Sequence, residues 1–72
     1  MYNNVDMEIV VNGRHRTVDD RTTLSTLIDE ILPPGRRVAV EVNEQIVPRI
    51  RHEAHRLQPG DRVEIVQAIG GG

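Results

Sequence analysis

The chain has no cysteine, no lysine, no phenylalanine and no tryptophan, and Tyr2 is its single aromatic residue. Each absence removes a class of chemistry. Without cysteine there is no disulfide, no thiolate metal ligand and no cysteine nucleophile. Without lysine there is no Walker lysine, no Schiff-base lysine and no lysine acceptor for modification. All nine basic residues are arginines, and eleven acids oppose them for a net charge of −2 with no long run of either sign. That balance argues against nucleic acid as a partner. The basic triplet Arg14-His15-Arg16 has no aromatic platform beside it for bases to stack on. No apolar run approaches the roughly 20 residues of a membrane span, so no membrane partner is expected. No cationic, apolar leader opens the chain, which makes the cytoplasm the expected compartment.

What is present fits one small domain. At 72 residues a chain hides only about 60% of the surface its unfolded form exposes, too little for two lobes around a catalytic cleft. The expectation is therefore a protein that is not itself an enzyme. Met7, Ile9 and Val11 alternate with Glu8 and Val10, and Asn12-Gly13 is a dipeptide favoured in tight hairpin turns. The mostly polar stretch from Arg14 to Val18 suits an edge strand. Thr22 or Thr23 is placed to cap a helix whose apolar residues Leu24, Leu27, Ile28 and Ile31 form one stripe, and Pro33-Pro34-Gly35 ends it. Val38, Val40 and Val42 mark a second strong strand, and Asn43-Glu44-Gln45 turns the chain. Ile46-Val47 is a brief strand that Pro48 confines to an edge. The charged stretch from Arg49 to Arg56 is weakly helical at most, and Leu57-Gln58-Pro59-Gly60-Asp61 turns into a last strand from Arg62 to Gln67. Strong alternation in the first and last strands suits central positions, and the weaker strands suit edges. The fold class that follows is α+β: a mixed four- to five-stranded sheet packed on one helix, the β-grasp layout. The expected organisation is a mobile extension over residues 1–6, one domain over 7–67 and a flexible glycine tail over 68–72.

Chemistry concentrates at the C-terminus. Gly70-Gly71-Gly72 follows the last strand, a tether without side chains that ends in an α-carboxylate. Such a tether enters a narrow channel in another protein without Cβ clashes. Its carboxylate, with an ordinary pKa of about 3.3–3.7, is ionised at pH 7 and able to attack the α-phosphate of ATP. The acyl-adenylate so formed accepts a sulfur or nitrogen nucleophile. A frayed end is the competing reading. Elsewhere, His52-Glu53-Ala54-His55 has its histidines at i, i+3 instead of the i, i+4 of H-E-x-x-H, so it is expected to be solvated surface with no metal. Asp19-Asp20 and Asp29-Glu30 read as surface charge without a convergent pocket. If Met7, Ile9, Val11, Val63 and Ile65 face the helix, then Val10, Val66 and Ala39 face away. With Ala68 at the root of the tail, Val10 and Val66 are expected to form a partner surface.

Three segments carry a resemblance: Val42-Asn43-Glu44-Gln45-Ile46-Val47-Pro48-Arg49, the turn Leu57-Gln58-Pro59-Gly60-Asp61, and the ending Val63 to Gly72. Together, in this order and spacing, the chain from Met7 onward resembles the ThiS family of sulfur carriers in thiamine biosynthesis. The resemblance implies a ubiquitin-like β-grasp fold whose terminal residue, here Gly72, is adenylated by a ThiF-like enzyme using ATP and converted to a thiocarboxylate. It implies further that Gly70 and Gly71 enter the partner's active site, that a sulfur-donor protein supplies the sulfur, and that a ThiG-like thiazole synthase receives it. The carrier itself would hold no cofactor. Residues Met1 to Asp6 precede the family's usual start, and Arg49 to Arg56 is the least family-like stretch. The nearest alternative is a MoaD-like carrier serving molybdopterin synthesis, whose tails tend to carry proline and an upstream phenylalanine; this chain has Gln67-Ala68-Ile69 there. A ubiquitin-like modifier or plain interaction module is the other.

Overall fold

A computed structural model describes residues 5–67. The expectations for Met1 to Asn4 and for Ala68, Gly70, Gly71 and Gly72 fall outside those residues. Five strands, one α-helix and one 3₁₀ turn follow one another as β1 (Asp6–Val11), β2 (Arg14–Asp19), α1 (Leu24–Ile31), β3 (Val38–Val42), β4 (Gln45–Ile46), the 3₁₀ turn Arg49–Arg51, and β5 (Arg62–Gln67). The sheet order is β2-β1-β5-β3-β4. The two strongly alternating end strands sit in the interior of the sheet, and the polar β2 and the two-residue β4 are its edges, as their patterns require.

Hairpin β1–β2 closes through Asn12 and Gly13, both with positive φ (49° and 81°). This is the backbone that two-residue hairpins favour, because it matches the twist of the strands. The hairpin also takes in two residues ahead of Met7: β1 opens at Asp6, and the Asp20 N–H donates to the Val5 carbonyl at 2.9 Å. Register places Met7 opposite Val18 and Ile9 opposite Arg16. Met7, Ile9 and Val11 are buried, and Arg16 reaches up to Glu30 of the helix at 3.2 Å.

Thr23 is the residue that caps α1, its hydroxyl accepting from the Thr26 N–H at 3.2 Å. Leu32 is already extended (φ −121°, ψ 149°), the geometry a following proline imposes. Of the apolar stripe, Leu24 and Leu27 are fully buried, Ile28 is half-buried and Ile31 is 37% exposed. The helix start draws on a part of the chain that sequence patterning leaves blank. The Leu24 and Ser25 N–H groups donate to the carbonyls of His55 and His52 at 2.8 and 3.0 Å, so the charged stretch after β4 satisfies donors that a helix N-terminus leaves without intrahelical partners. Replacing Thr23 with alanine should cost about 1 kcal/mol, read as a lower midpoint in urea unfolding, and an unchanged midpoint would mean that these loop carbonyls alone hold the helix end.

The core is sealed by Ile9, Leu24, Leu27, Val40, Leu57 and Val63, each almost completely buried. Leu57, read from sequence as the start of a turn, belongs to it. Among the described residues no helix is long and apolar enough to cross a membrane.

Candidate functional site

β5 is the strand that leads to the terminal glycines, and its position follows from pairings on both sides. Val10 and Val11 pair with Arg62 and Val63 in parallel. On the other flank, Val38 to Val42 pair antiparallel with Gln67 back to Val63. The last described residue, Gln67, therefore lies beside the start of β3.

The segments that carry the family resemblance converge on the start of β5. Asn43 occupies the β3–β4 turn with φ 52°. Its backbone N–H donates to the Arg62 carbonyl at 2.8 Å and its Oδ1 accepts from the Arg62 N–H at 2.9 Å. Its Nδ2 donates to Oδ1 of Asp61 at 3.0 Å, and Oδ2 of Asp61 accepts from the Gln58 N–H at 2.9 Å. Gly60, with φ 81°, supplies the left-handed backbone that turns the chain into the strand. The Asn and Gly-Asp positions are thus a single hydrogen-bonded unit that fixes where β5 begins. Asp61 is buried, and both its carboxylate oxygens have partners, as a buried polar group needs. Next to Asn43, Glu44 has φ 68°, a conformation that non-glycine residues adopt at a cost.

The face of the sheet away from the helix carries the residues expected to meet a partner. Val66 is 61% exposed and stands opposite the exposed Ala39. Val10 is half-buried and lies between Arg62 on β5 and His15 on β2. The structure therefore joins Val66 to Ala39 but leaves Val10 four residues back along β5, about 13 Å away at strand rise. Between them stands a charged row. Glu41 and Glu64 face each other directly across β3 and β5 and both are exposed, a like-charge pairing that destabilises a sheet. Lower on the same face, His15 Nδ1 and Glu8 Oε1 meet at 2.9 Å.

One sequence expectation is corrected. His52 is buried rather than solvated, and its Nε2 donates to the Val47 carbonyl at 2.9 Å, tying the 3₁₀ turn to the end of β4. Glu53 and Ala54 beside it are exposed. Among the described residues no cluster of three or more histidine, aspartate or glutamate side chains is placed to hold a metal ion.

A five-stranded mixed sheet with one covering helix, its central strand running toward three glycines, defines a ubiquitin-like β-grasp protein. The ThiS family model matches residues 1–72, and the chain belongs to the ThiS family of sulfur carriers. It is 30% identical over 66 residues to the sulfur carrier protein ThiS of Escherichia coli, covering 92% of this chain and all of that one. A crystal structure of the thiamine biosynthesis protein ThiS from Geobacter metallireducens superimposes with a TM-score of 0.76 at 30% identity, covering 92% of this chain and all of that one. A thiazole synthase of Paramagnetospirillum magneticum is 39% identical over 66 residues, 92% of this chain; the chain spans 20% of that enzyme's length.

Proposed function

We propose that this protein carries sulfur as a C-terminal thiocarboxylate for thiazole formation in thiamine biosynthesis. In this reading the Gly72 carboxylate attacks the α-phosphate of ATP on a ThiF-like partner, pyrophosphate leaves, and the acyl-adenylate forms. The terminal sulfur of a persulfide on a donor protein then attacks the acyl carbon and AMP leaves, giving an acyl disulfide with the donor. A thiolate attacks the donor's own sulfur, forming a disulfide with it and releasing the thiocarboxylate, which a ThiG-like thiazole synthase consumes. The work proceeds in the cytoplasm, where ATP is at hand. Every catalytic group belongs to the partners, and ATP is the activating partner's substrate.

The observation that carries this reading is the central strand β5, fixed at its start by the Asn43–Asp61 unit and leading into Gly70-Gly71-Gly72. A rigid body that ends in residues without side chains suits delivery of a carboxylate into an enclosed site. A thiazole synthase that contains a stretch similar to this chain supports the choice of acceptor. Incubation with a ThiF-like enzyme and labelled pyrophosphate should return label to ATP only when the carrier is present. Failure of exchange with an enzyme active on its own carrier would count against the reading.

Val66 and Ala39, with Val10 further back on the same face, are proposed as the docking surface, together with Ala68, which follows Gln67 in the sequence. Val66→Asp should weaken binding to the ThiF-like partner roughly tenfold or more, equivalent to about 1.4 kcal/mol, because the new carboxylate loses water only in the complex. Its melting temperature should hardly move, since Val66 is exposed in the free protein. Unchanged binding would remove Val66 from the interface.

A further inference from the structure

We propose that Asn12 is a positioning residue for the carrier strand: its side-chain amide makes the last two hydrogen bonds among the described residues on the β1 side of β5 and so fixes the outer end of the strand from which the C-terminal sequence continues. The backbone of β1 runs out too early to do this. Its parallel pairing with β5 reaches only Val11↔Val63, and the final backbone bond is from the Asn12 N–H to the Val63 carbonyl at 2.8 Å. In a regular parallel ladder the next acceptor would be the carbonyl of residue 12 and the next donor an N–H beyond it. Here the chain has already turned away, with φ 49° at Asn12 and 81° at Gly13. The side chain stands in for both missing groups. Asn12 Oδ1 accepts from the Ile65 N–H at 2.7 Å, and Nδ2 donates to the Ile65 carbonyl at 3.2 Å.

The turn alone does not call for asparagine, since Asp-Gly and Gly-Gly serve the same two-residue hairpin. Only the amide places one donor and one acceptor side by side on a side chain this short. Without it, the N–H and C=O of Ile65 face β1 unpaired, and the outer end of β5 is held by β3 alone. A strand free on one flank frays at its end, and a shift of about 1 Å in a reacting group is enough to cost orders of magnitude in rate.

The inference rests on the carrier reading above, and two substitutions test it. Asn12→Gly keeps a residue at ease with positive φ and removes the amide; Asn12→Asp keeps the turn and an acceptor for the Ile65 N–H but turns an oxygen toward the Ile65 carbonyl. Amide hydrogen exchange followed by NMR should show Ile65 exchanging roughly tenfold faster or more in Asn12→Gly, with Ile9 and Val40 unaffected. In the ThiF-like activation assay kcat should fall by on the order of tenfold with KM little changed, because the docking face is intact while the carboxylate is misplaced. Should Asn12→Gly lower the melting temperature, Asn12→Asp carries the comparison, with an intermediate exchange rate and an intermediate kcat. Unchanged exchange at Ile65 would overturn the proposal, as would faster exchange with unaltered kcat. Slower activation with unaltered exchange would also overturn it, since Asn12 would then touch the partner directly. A wild-type chain that is not activated at all would sink the carrier reading and the positioning role together, a failure visible before any substitution is made.

Discussion

Removing Gly72, or adding one residue after it, is expected to abolish ATP-dependent activation while leaving thermal unfolding where it was. The two quantities separate because they rest on different parts of the chain. Among the described residues the buried core runs from Met7 to Val63, and a glycine has no side chain to add to it. Activation, by contrast, requires a carboxylate within bonding reach of a phosphate held in another protein, and one glycine moves an extended chain end by about 3.3–3.6 Å. Pyrophosphate exchange should therefore fall to background in either variant. Exchange at the wild-type rate with Gly72 removed would show that the reacting carboxylate is not the one at this position.

Leu27→Ala is expected to do the opposite. Leu27 is completely buried and packs into the cluster that joins the helix to β1, β3 and β5. Truncating such a leucine costs about 2–5 kcal/mol, through lost transfer energy and the cavity left behind. At roughly 0.05–0.15 kcal/mol per residue, a chain of this length holds about 4–11 kcal/mol in reserve, so the variant would lose a large share of its stability. Denaturant titration gives the loss directly. A value below about 1 kcal/mol would place Leu27 at a site that collapses freely or outside the core.

The elements that were legible in the sequence are those decided by local periodicity. Alternation in Met7, Ile9 and Val11 and in Val38, Val40 and Val42 gave the right buried faces, and polarity placed β2 at an edge. Pro33 marked the helix end to the residue. What stayed hidden depends on pairs far apart in the chain. Asn12 and Ile65 are 53 positions apart and Asn43 and Asp61 are 18 apart, and neither residue type nor spacing announces a hydrogen bond across such a gap. Asn12 was legible as a turn former, and its second task was not. His52 misled for the same reason: a histidine between charged residues looks solvated until the fold brings the Val47 carbonyl to its ring. The candidate site divides likewise. Outward-facing Val66 followed from strand alternation, whereas the gap between Val10 and Val66 follows from the parallel register of β1 against β5, which no local pattern encodes.

Intact-mass spectrometry of the protein incubated with a ThiF-like enzyme, ATP and a sulfur donor tests the central claim most directly. The account predicts a species heavier by the exchange of one oxygen for one sulfur, with fragmentation placing the exchange on Gly72. An unmodified mass under conditions that load a known carrier, or a covalent adduct to another protein through Gly72, would contradict it.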